Sequence, residues 1–318
     1  MAGIWVISDQ PERAWELLSQ ARQLAAQWQR EVTAFVAGGE EIGQEAIARG
    51  ADRVGLIAVP QDTTWEQYVP VLFHEAKTSG PELILVAATR RGKDLAGQLA
   101  ALLDRPCVSD CLSMVMDGPG RIVVERLIYG GLAVKKMICD SFPLLFTIPA
   151  RSYEALPPEA GRQGEIRVLE PSSSGAVKVT QRTPRESRIG NLQEADIVIG
   201  VGRGFSEQDE VRLAEDLAEV LEAEIACSRP IAEFFKWLPE DRYLGISGQV
   251  IKPQLYLAAG ISGQAQHVYG IRDSKIIVAV NKDENAPIFR VADYFIVGDL
   301  KIVLPELTRA AAAVKQSS

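Results

Sequence analysis

The sequence has very little histidine and cysteine, which excludes most of the catalytic and metal sites that depend on them. Of 318 residues, two are histidine and four are cysteine. No C-x-x-C pair occurs, so the usual ligand spacing of a structural zinc or an iron–sulfur cluster is missing. A Ser-His-Asp triad would have to use His74 or His267, and no nucleophile–base pair is evident. We therefore expect no metal, no catalytic residues and no substrate chemistry.

Positive charge and long apolar runs are also scarce. The 34 Lys and Arg residues are outnumbered by 42 Asp and Glu, giving a net charge of -8, so no broad basic surface is available for a phosphate backbone. No run of about eighteen apolar residues occurs, and the start, MAGIWVISDQ, lacks the basic segment that opens a signal peptide. These absences predict a cytoplasmic protein with no nucleic-acid partner and no membrane insertion.

What the sequence does contain is a regular alternation of strands and helices in its first half. Apolar runs predict strands at residues 4–7, 32–37, 54–59 and 83–88, and amphipathic segments predict helices at 11–28, 41–48 and 64–77. Such alternation is typical of a parallel sheet covered on both faces. It predicts a Rossmann-like domain.

A turn and a linker follow this alternating region. Tyr129-Gly130-Gly131, between residues 121–128 and 132–138, predicts a hairpin because glycine supplies the positive φ of a tight turn. Residues 150–187 are rich in Pro, Gly and Ser, which is typical of a domain boundary. We therefore predict two domains, an N-terminal α/β domain over residues 1–187 that includes the linker, and a C-terminal domain over residues 188–318.

The second domain repeats the alternation. Strands are predicted at residues 196–201, 224–227, 255–259, 275–280 and 294–297, the last three as buried parallel strands. A helix over 206–222 would be capped by Ser206, and a closing helix would cover 300–314. The predicted fold is α/β, with two Rossmann-like domains of parallel sheet, the C-terminal one doubly wound.

Gly, Ser, Asn and Asp follow the last three predicted strands, at the edge of a parallel sheet where ligands bind. The segments are Gly260-Ile261-Ser262-Gly263, Asn281-Lys282-Asp283 and Gly298-Asp299. Arg203 follows an earlier strand beside the same crevice. Taken singly, each such residue is more often a turn, a cap or a core residue than a ligand contact. Together they predict a site for a pyrophosphate joined to a polar ring.

Three runs in this region carry a family resemblance. GISGQAQH at 260–267, SKIIVAVNKDENAPIF at 274–289 and ADYFIVGDL at 292–300 closely resemble the C-terminal FAD-binding signature of electron transfer flavoprotein alpha subunits, including FixB-like bacterial members. The similarity is nearly unbroken over about forty-five residues and weaker over the rest of the chain. It implies that the C-terminal domain binds FAD.

The resemblance also assigns roles to residues. It implies that the pyrophosphate is bound by Ser262, Gly263, Gln264, Ala265, Gln266 and His267, and the adenosine half by Asn281, Asp299 and Leu300. It implies that the flavin ring is contacted by Ser228, Arg229, Leu244, Gly245, Ile246 and Ser247. Arg229, with His267 near the pyrimidine edge, would stabilise negative charge on a reduced flavin.

The loop at residues 243–248 departs from the family pattern Q-V-G-Q-T-G. Ser247 keeps a hydroxyl where the family has Thr, whereas Tyr243 and Ile246 each replace a Gln. Two amide side chains are therefore absent, and backbone contacts remain available.

Members of this family are electron carriers rather than enzymes. They form a heterodimer with a beta subunit, which covers part of the flavin, and the N-terminal domain of the alpha subunit contacts that partner without holding a cofactor. The resemblance thus implies that electrons pass from a donor dehydrogenase to an acceptor such as a quinone oxidoreductase.

Two other functions remain open on the residues alone. An NAD-dependent oxidoreductase could use a similar sheet, although no acidic residue lies about twenty positions beyond a proper G-x-G-x-x-G. A cofactor-free nucleotide-binding assembly protein is favoured if the changes at Tyr243 and Ile246 have emptied the site. The visible spectrum of the purified complex would separate the three.

Overall fold

The computed structural model describes residues 3–58, 64–118, 120–131, 133–172, 179–181 and 192–317. The chain divides into two compact units, Met1–Pro184 and Arg185–Ser318. The boundary that the sequence predicts between residues 187 and 188 lies outside the described residues, so it stays a prediction.

The first unit is built around a seven-stranded parallel sheet. Its helices and strands, in chain order, are β1 Gly3–Ser8, α1 Pro11–Trp28, β2 Glu31–Ala37, α2 Glu40–Ala48, β3 Arg53–Ile57, a 3-10 turn Trp65–Tyr68, α3 Val69–Ser79, β4 Leu83–Ala87, α4 Arg90–Leu103, β5 Cys107–Val108, β6 Cys111–Met116, β7 Ile122–Ile128, a 3-10 turn Tyr129–Gly131, β8 Ala133–Cys139, β9 Leu144–Ile148 and β10 Glu165–Leu169. The strand order is β10-β3-β2-β1-β4-β9-β5, and every pairing is parallel. The predicted Rossmann-like fold of this unit is confirmed.

Strand β1 shows why both faces of this sheet are apolar. All six of its residues are buried. Ile4 and Val6 pack into a cluster with α1 and α2, whereas Trp5 and Ile7 pack into a second cluster with α3 and α4. Because successive side chains of a strand point to opposite faces, a strand covered by helices on both sides needs an unbroken apolar run.

For the first unit, one prediction is confirmed and extended, and two need correction. The predicted hairpin is present, with β7 antiparallel to β8, but β6 extends it into a three-stranded sheet; Leu132 lies outside the described residues. The single helix predicted over 64–77 is a 3-10 turn followed by α3, because Pro70 favours the start of a helix. Part of the predicted linker is strand β10, which pairs in parallel with β3.

The second unit contains a five-stranded parallel sheet. Its elements are β11 Ile197–Val201, a 3-10 turn Gln208–Val211, α5 Arg212–Leu221, β12 Glu224–Cys227, α6 Arg229–Glu233, a 3-10 turn Glu240–Arg242, β13 Leu255–Ala259, α7 Ala265–Ile271, β14 Ile276–Asn281, a 3-10 turn Pro287–Arg290, β15 Tyr294–Val297 and α8 Leu300–Ser317. The order is β12-β11-β13-β14-β15, all parallel. Residues of α5 and α8 pack on one face and residues of α7 on the other. This is the predicted doubly wound sheet, and its order reverses between β11 and β13.

Two predictions for the second unit are wrong. Ser206 does not cap α5: the turn begins at Gln208, and the Ser206 N–H donates to the Glu210 carboxylate at 2.7 Å. Strand β15 is not buried. It lies at the edge of the sheet, pairs with β14 on one side, and leaves Tyr294 66% exposed.

No helix in the described part of the chain combines the length and the apolar character needed to cross a membrane.

Candidate functional site

The strands of the second sheet all end at one edge, and the predicted site residues follow them. Since neighbouring strands lie about 4.8 Å apart, the four steps from β12 to β15 span about 19 Å. The residues assigned to the flavin ring follow β12, those assigned to the pyrophosphate follow β13, and those assigned to the adenosine half follow β14 and β15. The order along the edge therefore suits a long molecule with two different ends.

The loops after β11 and β13 meet backbone to backbone at the reversal point. The N–H of Gly202 donates to the Ala259 carbonyl and that of Gly204 to the Gly260 carbonyl, both at 2.9 Å. A Cβ on Gly202 would lie 2.3 Å from the Gly260 carbonyl oxygen, which no side chain can tolerate. Arg203, between the two glycines, is exposed. This crossing leaves backbone rather than side chain facing the crevice.

The loop from Ser262 to Gln266 is fixed on one side by the main chain of Ile288 and is exposed to solvent on the other. The N–H of Ile288 donates to the Ser262 carbonyl at 3.0 Å, and Gly263 has a φ of +87°. A Cβ on Gly263 would lie 2.3 Å from the Ile288 nitrogen. The exposed residues of this loop are Ser262, Gln264, Ala265 and Gln266. They present one hydroxyl and two amides to solvent.

Backbone hydrogen bonds bring together the segments assigned to the flavin ring, which are called the ring end below. The Leu244 N–H donates to the Cys227 carbonyl at 2.9 Å, and the Ile246 N–H donates to the Gln266 carbonyl at 3.0 Å. Gly245 has a φ of +143°, and a Cβ on it would lie 2.7 Å from the Gln266 carbonyl oxygen. The end of β12, the 244–247 loop and the start of α7 therefore form one surface.

Arg229 follows β12, and its guanidinium contacts a carboxylate of its own helix. Its Nε donates to the Glu233 carboxylate at 2.7 Å, and the side chain is 60% exposed. That hydrogen bond raises the pKa of Arg229. Arginine is a cation at neutral pH even without it. The Oγ atom of the neighbouring Ser228 is buried and has no hydrogen-bond partner among the described residues.

Tyr243 has a role that the sequence did not reveal. Its hydroxyl donates to the Ser247 carbonyl at 2.5 Å and so closes the loop that carries Ile246 and Ser247. A Cβ on Gly248 would lie 2.4 Å from the Tyr243 ring. The loss of a Gln at this position is thus accompanied by a new internal contact. The signal in the sequence was the departure from the family pattern.

His267 is buried, 7% exposed, and its Nε2 lies 2.9 Å from the hydroxyl oxygen of the fully buried Tyr256. Burial lowers the pKa of His267 to about 4, with a smaller opposing contribution from the Leu244 backbone. The imidazole is therefore neutral near pH 7 and can offer a hydrogen bond but not a positive charge. Its Nδ1 is buried and has no partner with hydrogen-bond geometry among the described residues. Tyr256 itself was hidden in an apolar strand.

At the other end, a cleft is lined by residues from four loops. They include Gly204, Gly260, Asn281, Gly298, Asp299 and Leu300. The Asn281 side chain is largely used within the protein, since Nδ2 donates to the Ile261 carbonyl at 3.0 Å and Oδ1 accepts from the Asp283 N–H. Asp299 Oδ1 accepts from the Lys301 N–H at 2.9 Å at the start of α8. Both residues line the cleft, and their hydrogen bonds to main-chain groups also fix the loops that form it.

The residues assigned to the flavin ring include buried polar atoms that a ligand can contact. No group of three His, Cys, Asp or Glu that could hold a metal ion occurs in the part of the chain that was described. Two buried polar atoms in this region, Ser228 Oγ and His267 Nδ1, lack hydrogen-bond partners among the described residues. Gly245, which packs against the main chain of Gln266 and His267, lies next to them in the fold. Buried polar atoms without partners are rare and mark places where a ligand can complete the hydrogen bonding.

Comparisons with known proteins identify the family of this chain. Residues 9–174 match the electron transfer flavoprotein domain, and residues 191–272 match the electron transfer flavoprotein FAD-binding domain. Protein FixB of Escherichia coli O17:K52:H18 is 42% identical over 313 residues, covering 97% of this chain and 98% of that protein. Protein FixB of Shigella flexneri is also 42% identical, and that of Escherichia coli K12 41%, with the same coverage. The chain therefore belongs to the electron transfer flavoprotein family, as an alpha-subunit-type member similar to FixB.

Proposed function

We propose that this chain is the alpha subunit of an electron transfer flavoprotein that binds FAD along the carboxyl edge of its second sheet. FAD supplies the redox chemistry, and the chain binds it and sets its electrostatic surroundings. The role is that of a carrier rather than an enzyme, taking electrons from a dehydrogenase and delivering them to an acceptor such as a quinone oxidoreductase.

The observation that carries this proposal is the crossing of Gly202–Gly204 and Gly260 where the sheet order reverses. Open parallel sheets bind their ligands outside the strand ends at such a point. Side chains are excluded there by distances of 2.3 and 2.5 Å to main-chain atoms, so main chain can approach a pyrophosphate closely. The FAD-binding domain match over residues 191–272 includes this crossing.

The proposed contacts divide into three groups along the edge. Ser262, Gly263, Gln264, Ala265 and Gln266 bind the pyrophosphate, and Asn281, Asp299 and Leu300 bound the adenosine half. Ser228, Arg229, His267 and the loop Leu244–Ser247 face the ring. In this assignment Arg229 stabilises negative charge on a reduced flavin, and Arg203 adds a second cation beside the crevice.

A beta subunit is the proposed partner. The ring end is open on the second unit: Arg229 has a 60% exposed side chain and Ile246 is 51% exposed. Because water at the ring would weaken every electrostatic interaction there, a covering surface is needed. A heterodimer in which the beta subunit supplies that surface meets this need.

The test is to co-express the chain with its beta partner and record the visible spectrum of the purified complex. Flavin bands and about one extractable FAD per complex are expected. Turnover that requires a nicotinamide substrate would favour the NAD-dependent oxidoreductase. A colourless complex that also fails to take up FAD on reconstitution would favour the cofactor-free assembly protein.

A further inference from the structure

The hydrogen bond between Tyr256 and His267 is an isolated polar contact inside the second unit. Tyr256 lies in β13 and is fully buried, and His267 lies in the first turn of α7. The hydroxyl oxygen and Nε2 are 2.9 Å apart. Within the described residues the hydroxyl makes no other hydrogen bond, and His267 Nδ1 makes none. The two rings therefore share this one contact. Nδ1 has no partner with hydrogen-bond geometry, although the Leu244 main chain lies close enough to the imidazole to raise its pKa against the larger effect of burial.

The neighbouring strand leaves space for this hydroxyl. Gly200 of β11 lies opposite Ala258 in the parallel register. A Cβ on Gly200 would lie 2.0 Å from the Tyr256 hydroxyl oxygen and 3.0 Å from Cδ1 of Ile261. Any larger residue at position 200 would displace the hydroxyl from Nε2. The hydroxyl thus occupies a place that the packing keeps free for it.

The direction of the Tyr256–His267 hydrogen bond can be argued from the number of partners that each of the two groups has. A buried hydroxyl whose hydrogen finds no acceptor is costly, whereas an unused lone pair costs less. His267 Nε2 is the acceptor within reach of the hydroxyl. With the hydroxyl as donor, Nε2 would carry no proton. A neutral imidazole has one proton, which is then on Nδ1.

We propose that Tyr256 is a positioning residue that selects the tautomer of His267: its hydroxyl donates to Nε2, keeps the imidazole proton on Nδ1, and so makes Nδ1–H the hydrogen-bond donor available to a ring carbonyl. The tautomer itself does not depend on any ligand. Its use at a flavin carbonyl rests on the proposed function, and the two parts can be tested separately.

Histidine labelling tests the tautomer directly, because the chain contains only two histidines. In the full-length chain labelled with 15N-histidine, long-range 1H–15N spectra separate protonated from unprotonated ring nitrogens. The exposed His74 provides a second signal, which His74→Gln assigns. We expect an unprotonated Nε2 and a protonated Nδ1 for His267. A proton on Nε2 in the wild type would overturn the proposal.

Tyr256→Phe removes the hydroxyl and keeps the ring. We expect the ratio of Nδ1–H to Nε2–H tautomers to fall about tenfold, which is the effect of losing one hydrogen bond. An unchanged ratio would overturn the proposal. Gly200→Ala is a second route, since it displaces the hydroxyl while Tyr256 is kept. The matched control is Tyr269→Phe, the same change on α7 two residues from His267, which should leave the His267 signals unchanged.

The flavin part is tested by adding FAD to the complex with the beta subunit. We expect the His267 Nδ1–H signal to move in the wild type and the affinity for FAD to fall about tenfold in Tyr256→Phe. If neither protein binds FAD, the proposed function fails and the tautomer result stands on its own. If FAD binds equally to both without moving the Nδ1–H signal, the positioning role toward the ring is overturned.

Discussion

Gly204 and Gly260 are joined by a main-chain hydrogen bond of 2.9 Å at the point where the second sheet reverses its strand order. A Cβ on Gly204 would lie 2.5 Å from the Gly260 Cα. A Cβ is fixed to its own main chain and the Gly260 Cα is a main-chain atom, so no side-chain rotation can relieve this clash. Relief would require the loops after β11 and β13 to separate, which would also change the shape of the proposed pyrophosphate site.

Gly204→Ala should therefore destabilise the protein and weaken FAD binding together. We expect a loss of about 1–3 kcal/mol in the free energy of unfolding, the usual effect of overpacking, with FAD affinity reduced in parallel. Urea unfolding and FAD titration measure the two effects.

Gly97→Ala is the matched control for that substitution. Gly97 lies in α4, and a Cβ there would meet no atom within 4 Å. Since alanine is the better helix former, this variant should gain about 0.5–1 kcal/mol and bind FAD as the wild type does. Equal stability and FAD affinity in Gly204→Ala and the wild type would contradict the argument from the crossing loops.

Arg229 and Glu233 should change the flavin potential in opposite directions. Removing the cation with Arg229→Ala takes away stabilisation of a negatively charged reduced flavin, so the midpoint potential should fall by about 60 mV, equivalent to a tenfold change for a one-electron couple. Glu233→Gln removes the carboxylate that holds the guanidinium at 2.7 Å, so the potential should rise. Redox titration of the purified complex gives both values. If Arg229→Ala leaves the FAD spectrum and potential unchanged, the role assigned to Arg229 is wrong.

The sequence located the strands of the second unit well because each apolar run ends at or close to a Gly, Pro or Asn residue. The predicted limits of β12, β13 and β15 coincide with those observed. It did not reveal the exposure of β15, because an apolar run looks the same at the edge of a sheet as at its centre. It also missed β10, a short strand among Pro, Gly and Ser residues whose pairing with β3 joins distant parts of the chain.

The same limit applies to the candidate site. Patterns at strand ends predicted which segments would share one edge, since parallel strands end together. They did not predict side-chain directions: Arg229 contacts Glu233, and Asn281 contacts the Ile261 carbonyl. The Tyr256–His267 contact was also hidden, because it depends on how a strand packs against α7 rather than on residues close in sequence.

Tyr243→Phe should loosen the ring-end loop with little effect on global stability. The hydroxyl that donates to the Ser247 carbonyl at 2.5 Å is lost, and this contact is solvent-exposed. We expect faster amide hydrogen exchange over residues 244–249 and an FAD affinity reduced about threefold to tenfold. Tyr294→Phe, on the exposed edge strand β15, is the control and should change neither. Unaltered exchange in Tyr243→Phe would show that the loop is held by other contacts.

His267 should make the stability of the chain depend on pH in the acid range. Its pKa is about 4 in the folded protein because of burial, against about 6.5 when unfolded. The unfolded chain therefore binds the proton more tightly, so this contribution is fully present above pH 6.5 and is lost as the pH falls toward 4. The loss amounts to about 3 kcal/mol. Urea unfolding at pH 7, 5.5 and 4 should show it, and His267→Gln should have a shallower pH dependence over that interval. Gln266→Ala, an exposed and uncharged neighbour, should retain the wild-type slope; the same slope in all three proteins would mean that His267 is not buried in its neutral form.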